Sequence, residues 1–219
     1  MKLKKTVRML VVVSLLTGIA WAGEIMSSGF ISGNPQFEPD KDFAGAMIYQ
    51  KPGVNLAAYS KVLIDPIEIW IAPDSKIKGL DADESKEIAD TLRQELVKEL
   101  EPDYPVVNEP GAGVLGLRLA ITNVHLKTKK RGLLGYTPIG FVVTTAANMA
   151  GMRTELTQAS IEAEILDGES NEQLGALIDP FATGKEDEKL TWDDVRKRFE
   201  AYAKRFRARL DQAHAGGGQ

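Results

Sequence analysis

Residues 59–73, YSKVLIDPIEIWIAP, are the most apolar continuous run of the chain beyond its N-terminal start, and they limit what the rest can build. Val62, Leu63, Ile64, Ile67, Ile69 and Ile71 are branched aliphatics and Trp70 is aromatic, a composition that suits a pleated surface rather than a helix. The run has two halves. Residues 61–64 are apolar on both faces, as in a strand covered on both sides. Residues 67–71 alternate, with Ile67, Ile69 and Ile71 on one face and Glu68 and Trp70 on the other. Pro66 lies between them and has no N–H to give a ladder, so a bulge or an exposed edge is expected at Asp65–Pro66. Asp65 and Glu68 read either as a carboxylate pair or as a bulge residue beside a solvated glutamate. Paired carboxylates do acid–base work only when their environments split their pKa values.

What precedes the run reads as a leader and an arm. Lys2, Lys4, Lys5 and Arg8 form a basic start, residues 9–19 are apolar and too short for a membrane span, and Ala20-Trp21-Ala22 is an A-x-A cleavage pattern. The expectation is a signal peptide over 1–22, cleavage after Ala22, and a periplasmic or secreted product. The chain contains no cysteine, so it forms no disulfide, offers no thiolate metal ligand and cannot be lipidated at a leader cysteine. Without the four leader cations the formal charge moves from −4 to −8, which argues against nucleic acid as a partner. Residues 23–58 carry Gly29, Gly33, Pro35, Pro39, Gly45, Pro52 and Gly53, a spacing of breakers that forbids long elements. Phe30, Phe37, Phe43 and Tyr49 are spread between them, so the segment reads as an extended arm pinned by aromatics, with a short edge strand near 46–49.

Downstream, Asp81 or Asp83 caps a helix whose Ile88, Leu92, Leu96 and Leu100 recur every four residues and which stops before Pro102. Residues 104–108 make a short strand. Leu115, Leu117, Leu119 and Ile121 alternate along a longer one, and the phase slips after Asn123 to Val124 and Leu126, as at a bulge. Residues 158–166 alternate again, placing Ala159, Ile161, Ala163 and Ile165 inward and Glu162 and Glu164 outward, on what reads as a solvated face. A turn at 167–171 returns the chain through 174–178. Thr191, with Asp194 behind it, caps a last helix whose stripe is Val195, Phe199, Tyr202, Phe206 and Leu210. Its basic outer face reads as pairing with the acidic first helix or as a site for an anionic partner.

The order β-α-β-β-(apolar insert)-β-β-α predicts an α+β fold. Its expected form is a single small mixed or antiparallel sheet of about five strands, with two amphipathic helices on one face. The domain is expected over 59–213, with a flexible tail at 214–219.

Several stretches resemble a bacterial family of unknown function, the domain-of-unknown-function family 3313. They are Ser28-Gly29-Phe30-Ile31, residues 49–56 from Tyr49 to Leu56, residues 59–70, Tyr104-Pro105-Val106-Val107 leading to Pro110-Gly111, and residues 159–164. The resemblance covers nearly all of the mature chain and implies a cell-envelope protein, often a lipoprotein; it implies no activity and no catalytic residues. This chain departs by having no lipobox cysteine, reading Leu16-Thr17-Gly18-Ile19-Ala20 where one belongs. The element order is also similar to the small α+β domains of outer-membrane assembly lipoproteins.

No chemistry-bearing signature is present. The two histidines, His125 and His214, have no second ligand at metal spacing, and there is no Walker loop, dinucleotide fingerprint or G-x-S-x-G elbow, so neither cofactor nor metal is expected. The segment 132–152 runs without a charge beside the basic Lys127, Lys129, Lys130 and Arg131. Gly132, Gly135, Pro138, Gly140 and Gly151 argue against a spanning helix. Three readings stand: cover for the core, an interface for an envelope partner or a second copy, or peripheral membrane contact. The candidate contact residues are Trp70, Leu133, Leu134, Tyr136, Ile139, Phe141, Met149 and Met152. The expected role is binding or assembly without catalysis; the alternative is a hydrolase-like enzyme using Asp65, Glu68 or His125.

Overall fold

The computed structural model describes residues 28–128, 154–181 and 192–216. Eight strands form one mixed sheet: β1 (Glu38–Pro39), β2 (Met47–Gln50), β3 (Lys61–Ile64), β4 (Glu68–Ile71), β5 (Val106–Val107), β6 (Val114–Thr128), β7 (Thr154–Asp167) and β8 (Gln173–Pro180). Helix α1 spans Ala82–Leu100 and α2 spans Trp192–Gly216. The expected five strands undercount this sheet. The arm contributes two of its own, β1 and β2, and the opening run divides into β3 and β4.

The order across the sheet is β1-β2-β8-β7-β6-β3-β5, with β4 also on β6. β3 and β4 lie end to end along one edge of β6, both parallel to it. Ile64 pairs with Leu117 and Glu68 with Ala120, so residues 65–67 face only 118–119. That extra residue is the bulge that Pro66 demands, because a residue without N–H is tolerated where the ladder is already broken. Val62 and Ile64 are buried, while Leu63 on the opposite face is only half-buried, so β3 is not covered equally on both sides. The phase slip after Asn123 is also a bulge. Asn123 adopts φ +50°, and three steps of β6 from Thr122 to His125 face two steps of β7 from Ser160 to Gln158.

Both helices lie on one face. Ile88, Leu92, Leu96 and Leu100 of α1 and Val195, Phe199, Tyr202, Phe206 and Leu210 of α2 join Val62, Ile64, Leu115, Leu117, Leu119, Ile121, Ile161 and Ala163 in the main core. Asp81 caps α1 by accepting from Asp83 N–H at 2.9 Å. Most of the basic face of α2 is paired within the chain. Arg207 donates to the Glu99 carbonyl at 3.0 Å and pairs with Asp103, joining the helices, while Arg205 pairs with Asp179 and Arg209 with Asp40. Arg205 also stacks on Phe43 at 4.2 Å, so the arm between β1 and β2 grips α2.

One latch outside the core has a titratable centre. The Tyr59 hydroxyl donates to Asp167 Oδ2 at 2.7 Å, tying the start of β3 to the β7–β8 turn. The Ser170 backbone N–H first, and then the Tyr59 and Ser170 hydroxyls, hold the Asp167 carboxyl well below the usual carboxylate range. Burial first, and then Asp167, push the Tyr59 hydroxyl up to about 12. A carboxylate depressed in the folded state stabilises the fold above its unfolded pKa of about 4, and that contribution disappears as pH falls through and below that value. Urea midpoints at neutral pH and near pH 3 are therefore expected to fall further in the wild-type chain than in Asp167→Asn, which has nothing there to protonate.

Candidate functional site

The sheet face opposite the helices carries a buried polar cluster, with Thr122, Ser160, Glu162 and Glu164. Along β7 the residues turned to this face are Glu164, Glu162 and Ser160; Glu162 is 0 % exposed and Glu164 2 %. The alternation of β7 predicts a solvated face for both. The arm covers them instead, with Phe30 and Ile31 packed on Ala120, Ala176 and Ile178, and Phe37, Met47, Tyr49 and Trp70 around these. Alternation along a strand shows that Glu162 and Glu164 share a face; it does not show that a distant segment will cover that face.

Each buried carboxylate binds the backbone of this covering strap. Ser28 N–H donates to Glu162 Oε1 at 3.0 Å, and Ser32 N–H donates to Glu164 Oε1 at 2.6 Å. The Thr122 hydroxyl donates to Glu162 Oε1 at 2.7 Å, and the Gln173 amide to Glu164 Oε1 at 2.9 Å. Arg118 on β6 gives Nη1 to Glu164 Oε2 at 2.5 Å, approaches Glu68 at 3.6 Å and lies 4.2 Å over the Phe30 ring. The two carboxylates thus hold an irregular segment by its main-chain N–H groups, and the guanidinium holds it by the Phe30 ring.

Trp70 sits at the margin of this cluster. Its indole N–H donates to Glu68 Oε2 at 2.9 Å, and its ring meets Phe30 edge-on at 5.9 Å between centroids. It is half-buried. Asp65 and Glu68 are not brought together with His125. Asp65 N–H bonds the Leu117 carbonyl, Glu68 pairs with Ala120, and His125 lies eight residues beyond Leu117 on the same strand, about 26 Å at the rise of a strand. His125 Nε2 has Asp74 at 3.6 Å. Among the described residues no group of three His, Asp or Glu side chains is placed to hold a metal ion.

Leu133, Leu134, Tyr136, Ile139, Phe141, Met149, Met152, Lys129, Lys130 and Arg131 lie outside the described residues, as does the Lys127 side chain. The expected signal peptide over 1–22 also lies outside them. Thr128 pairs with Thr154 at the far end of the β6–β7 ladder. No helix among the described residues is long and apolar enough to cross a membrane.

On the helix side a cleft of about 870 Å³ runs between α2 and strands β1, β2 and β8, with Leu174, Leu177, Ile48, Leu56, Phe206 and Leu210 among its lining residues. Its buried Asp40 is paired with Arg209. The volume is in the range of small-ligand sites.

A family model described as a protein of unknown function, DUF3313, matches residues 26–206. No curated protein matches the chain. Among solved structures, it is similar to a PelC dodecamer from Paraburkholderia phytofirmans at 12% identity and TM-score 0.38, covering 72% of this chain and 96% of that one. It is similar also to a neuraminyllactose-binding hemagglutinin homolog from Helicobacter pylori at 15% identity and TM-score 0.35, covering 71% and 82%. A DUF4136 family protein from Bacteroides thetaiotaomicron matches at 11% identity and TM-score 0.34, covering 73% and 96%.

Proposed function

The chain belongs to DUF3313, a family of proteins of unknown function, and from that premise we propose that it is an exported bacterial envelope protein that works by binding or assembly rather than by catalysis. The observation that carries this reading is where the ionisable groups are used. Asp65, Glu68 and His125 are strung along about 26 Å of β6 instead of converging, and a general acid and base must both reach one substrate. The buried carboxylates Glu162 and Glu164 are engaged in holding the strap. The chain's contacts with others are assigned to the uncharged segment 132–152 and its basic neighbours Lys127, Lys129, Lys130 and Arg131.

The test has two readings. The full chain, expressed in a bacterial host and fractionated, is expected in the periplasmic extract with Gly23 as its first residue. Light scattering with chemical crosslinking is expected to find it larger than one copy. Replacing Leu133, Tyr136 and Phe141 by serine is expected to return it to a monomer. A protein that stays strictly monomeric and uncrosslinked in the extract removes the assembly reading. Loss of the deletion phenotype's rescue on changing Asp65, Glu68 and His125 to Asn, Gln and Asn, in a chain that still folds, favours the enzyme.

A further inference from the structure

The two glutamates under the strap are held by matching sets of donors, with one member absent. Glu164 Oε1 takes a strap N–H and the Gln173 amide, and its Oε2 takes Arg118. Glu162 Oε1 takes a strap N–H and the Thr122 hydroxyl, but its Oε2 is buried and accepts no hydrogen bond from the described residues. A buried carboxylate oxygen without a donor is among the costlier features a fold can carry. Among the described residues, Glu164 has a cation beside it and Glu162 has none.

The surroundings narrow the missing group. In the sheet Glu162 is flanked by Ala120 and Ile178, both buried and neither a side-chain donor, so a cation reaches it only from the strap side, beside Ser28. A single open oxygen suits an ammonium, a compact point charge; a guanidinium fork prefers two acceptors side by side. The chain itself enters at that point. Gly23, the residue that leader removal is expected to expose, lies five positions before Ser28, a separation whose extended reach is about 17 Å. We propose that Glu162 Oε2 is the receptor for an ammonium group, supplied by the chain's own α-amine after leader removal or by a lysine side chain of a binding partner. The first source rests on the export reading; the receptor does not. In either case the incoming ammonium completes the Glu162 end of the strap as Arg118 completes the Glu164 end, so the strap closes fully only in the processed or partnered protein.

The test compares the chain beginning at Gly23 with the same chain after transamination has converted its α-amine to a carbonyl. The free-amine protein is expected to melt about 3–8 °C higher, and Glu162→Gln is expected to erase the difference. A gain on adding millimolar methylammonium to the transaminated chain, lost in Glu162→Gln, assigns the site to an ammonium from outside. In the wild-type chain the amide resonances of Ser28 and Thr122 are expected to shift between the free and the transaminated forms or with methylammonium, a readout that stands even if Glu162→Gln fails to fold. Equal melting, no response to methylammonium and unmoved Ser28 and Thr122 resonances overturn the proposal. The export reading is judged separately, by the mass of the periplasmic protein: a start away from Gly23 defeats that reading, while the methylammonium comparison still decides the receptor.

Discussion

Gly168→Ala is expected to destabilise the protein by about 3 kcal/mol, the upper end for an added methyl in a packed site, and to lower the urea midpoint without changing the slope. A Cβ at Gly168 would stand 2.5 Å from the Val114 carbonyl oxygen, 2.9 Å from Val114 Cβ and 3.1 Å from the Gly111 carbonyl oxygen. Two of these three are backbone atoms, so no rotamer change relieves the clash. Nor can β6 shift away cheaply. Gly168 N–H donates to the same Val114 carbonyl at 2.9 Å, and the adjoining pair Leu115↔Asp167 begins the β6–β7 ladder. Gly53→Ala is the control. Gly53 has φ +78° and open space around its Cβ position, so alanine there meets only the left-handed backbone penalty, about 1 kcal/mol. A Gly168→Ala protein no less stable than Gly53→Ala would mean that the turn yields, and that Gly168 does not set the close approach of β7 to β6.

The two bulges were legible in the sequence because each breaks a local rule. Pro66 cannot donate to a ladder, and the apolar phase changes at Asn123; the registers of β3 and β4 on β6 leave one extra residue around Pro66, and the β6–β7 register shifts past Thr122. The helices were legible for a similar reason, since a stripe such as Val195, Phe199, Tyr202, Phe206 and Leu210 is periodic within one segment. Strand neighbours were not legible. Nothing inside residues 59–73 says that both halves will lie parallel along β6, or that Val106 and Val107 will pair with Val62 and Leu63. The candidate site was missed for the same physical reason. Glu162 and Glu164 differ from a solvated pair only through Ser28–Ser32, more than 130 residues away in the chain. Two signals pointed to them nonetheless. Arg118 occupies the outward phase of the neighbouring strand, and an arm that carries Phe30, Phe37, Phe43 and Tyr49 needs an apolar surface on which to bury them.

Arg118→Met is expected to cost about 3–5 kcal/mol, the range for removing one partner of a buried ion pair. The lower part of that range applies, because the Arg118 side chain is 31% exposed while that of Glu164 is 2% exposed. The loss comes mainly from the charge left behind. Glu164 keeps the Ser32 N–H and the Gln173 amide but no cation. Adding Glu164→Met to Arg118→Met removes that stranded charge, and buried pairs replaced by apolar groups of similar size are often no less stable than the originals. Most of the loss is therefore expected to return in the double variant, giving a coupling of roughly 2 kcal/mol in the cycle. Strap protection is expected to behave differently. The double variant has no Glu164 acceptor for Ser32 N–H, so hydrogen exchange at Ser32 is expected to be fast although global stability has recovered. That split separates the two jobs of Glu164: balancing Arg118, which an apolar pair can replace, and holding the strap, which it cannot. If Arg118→Met alone costs under about 1 kcal/mol, the level of an exposed pair, the carboxylate is solvated and the strap is not latched by it.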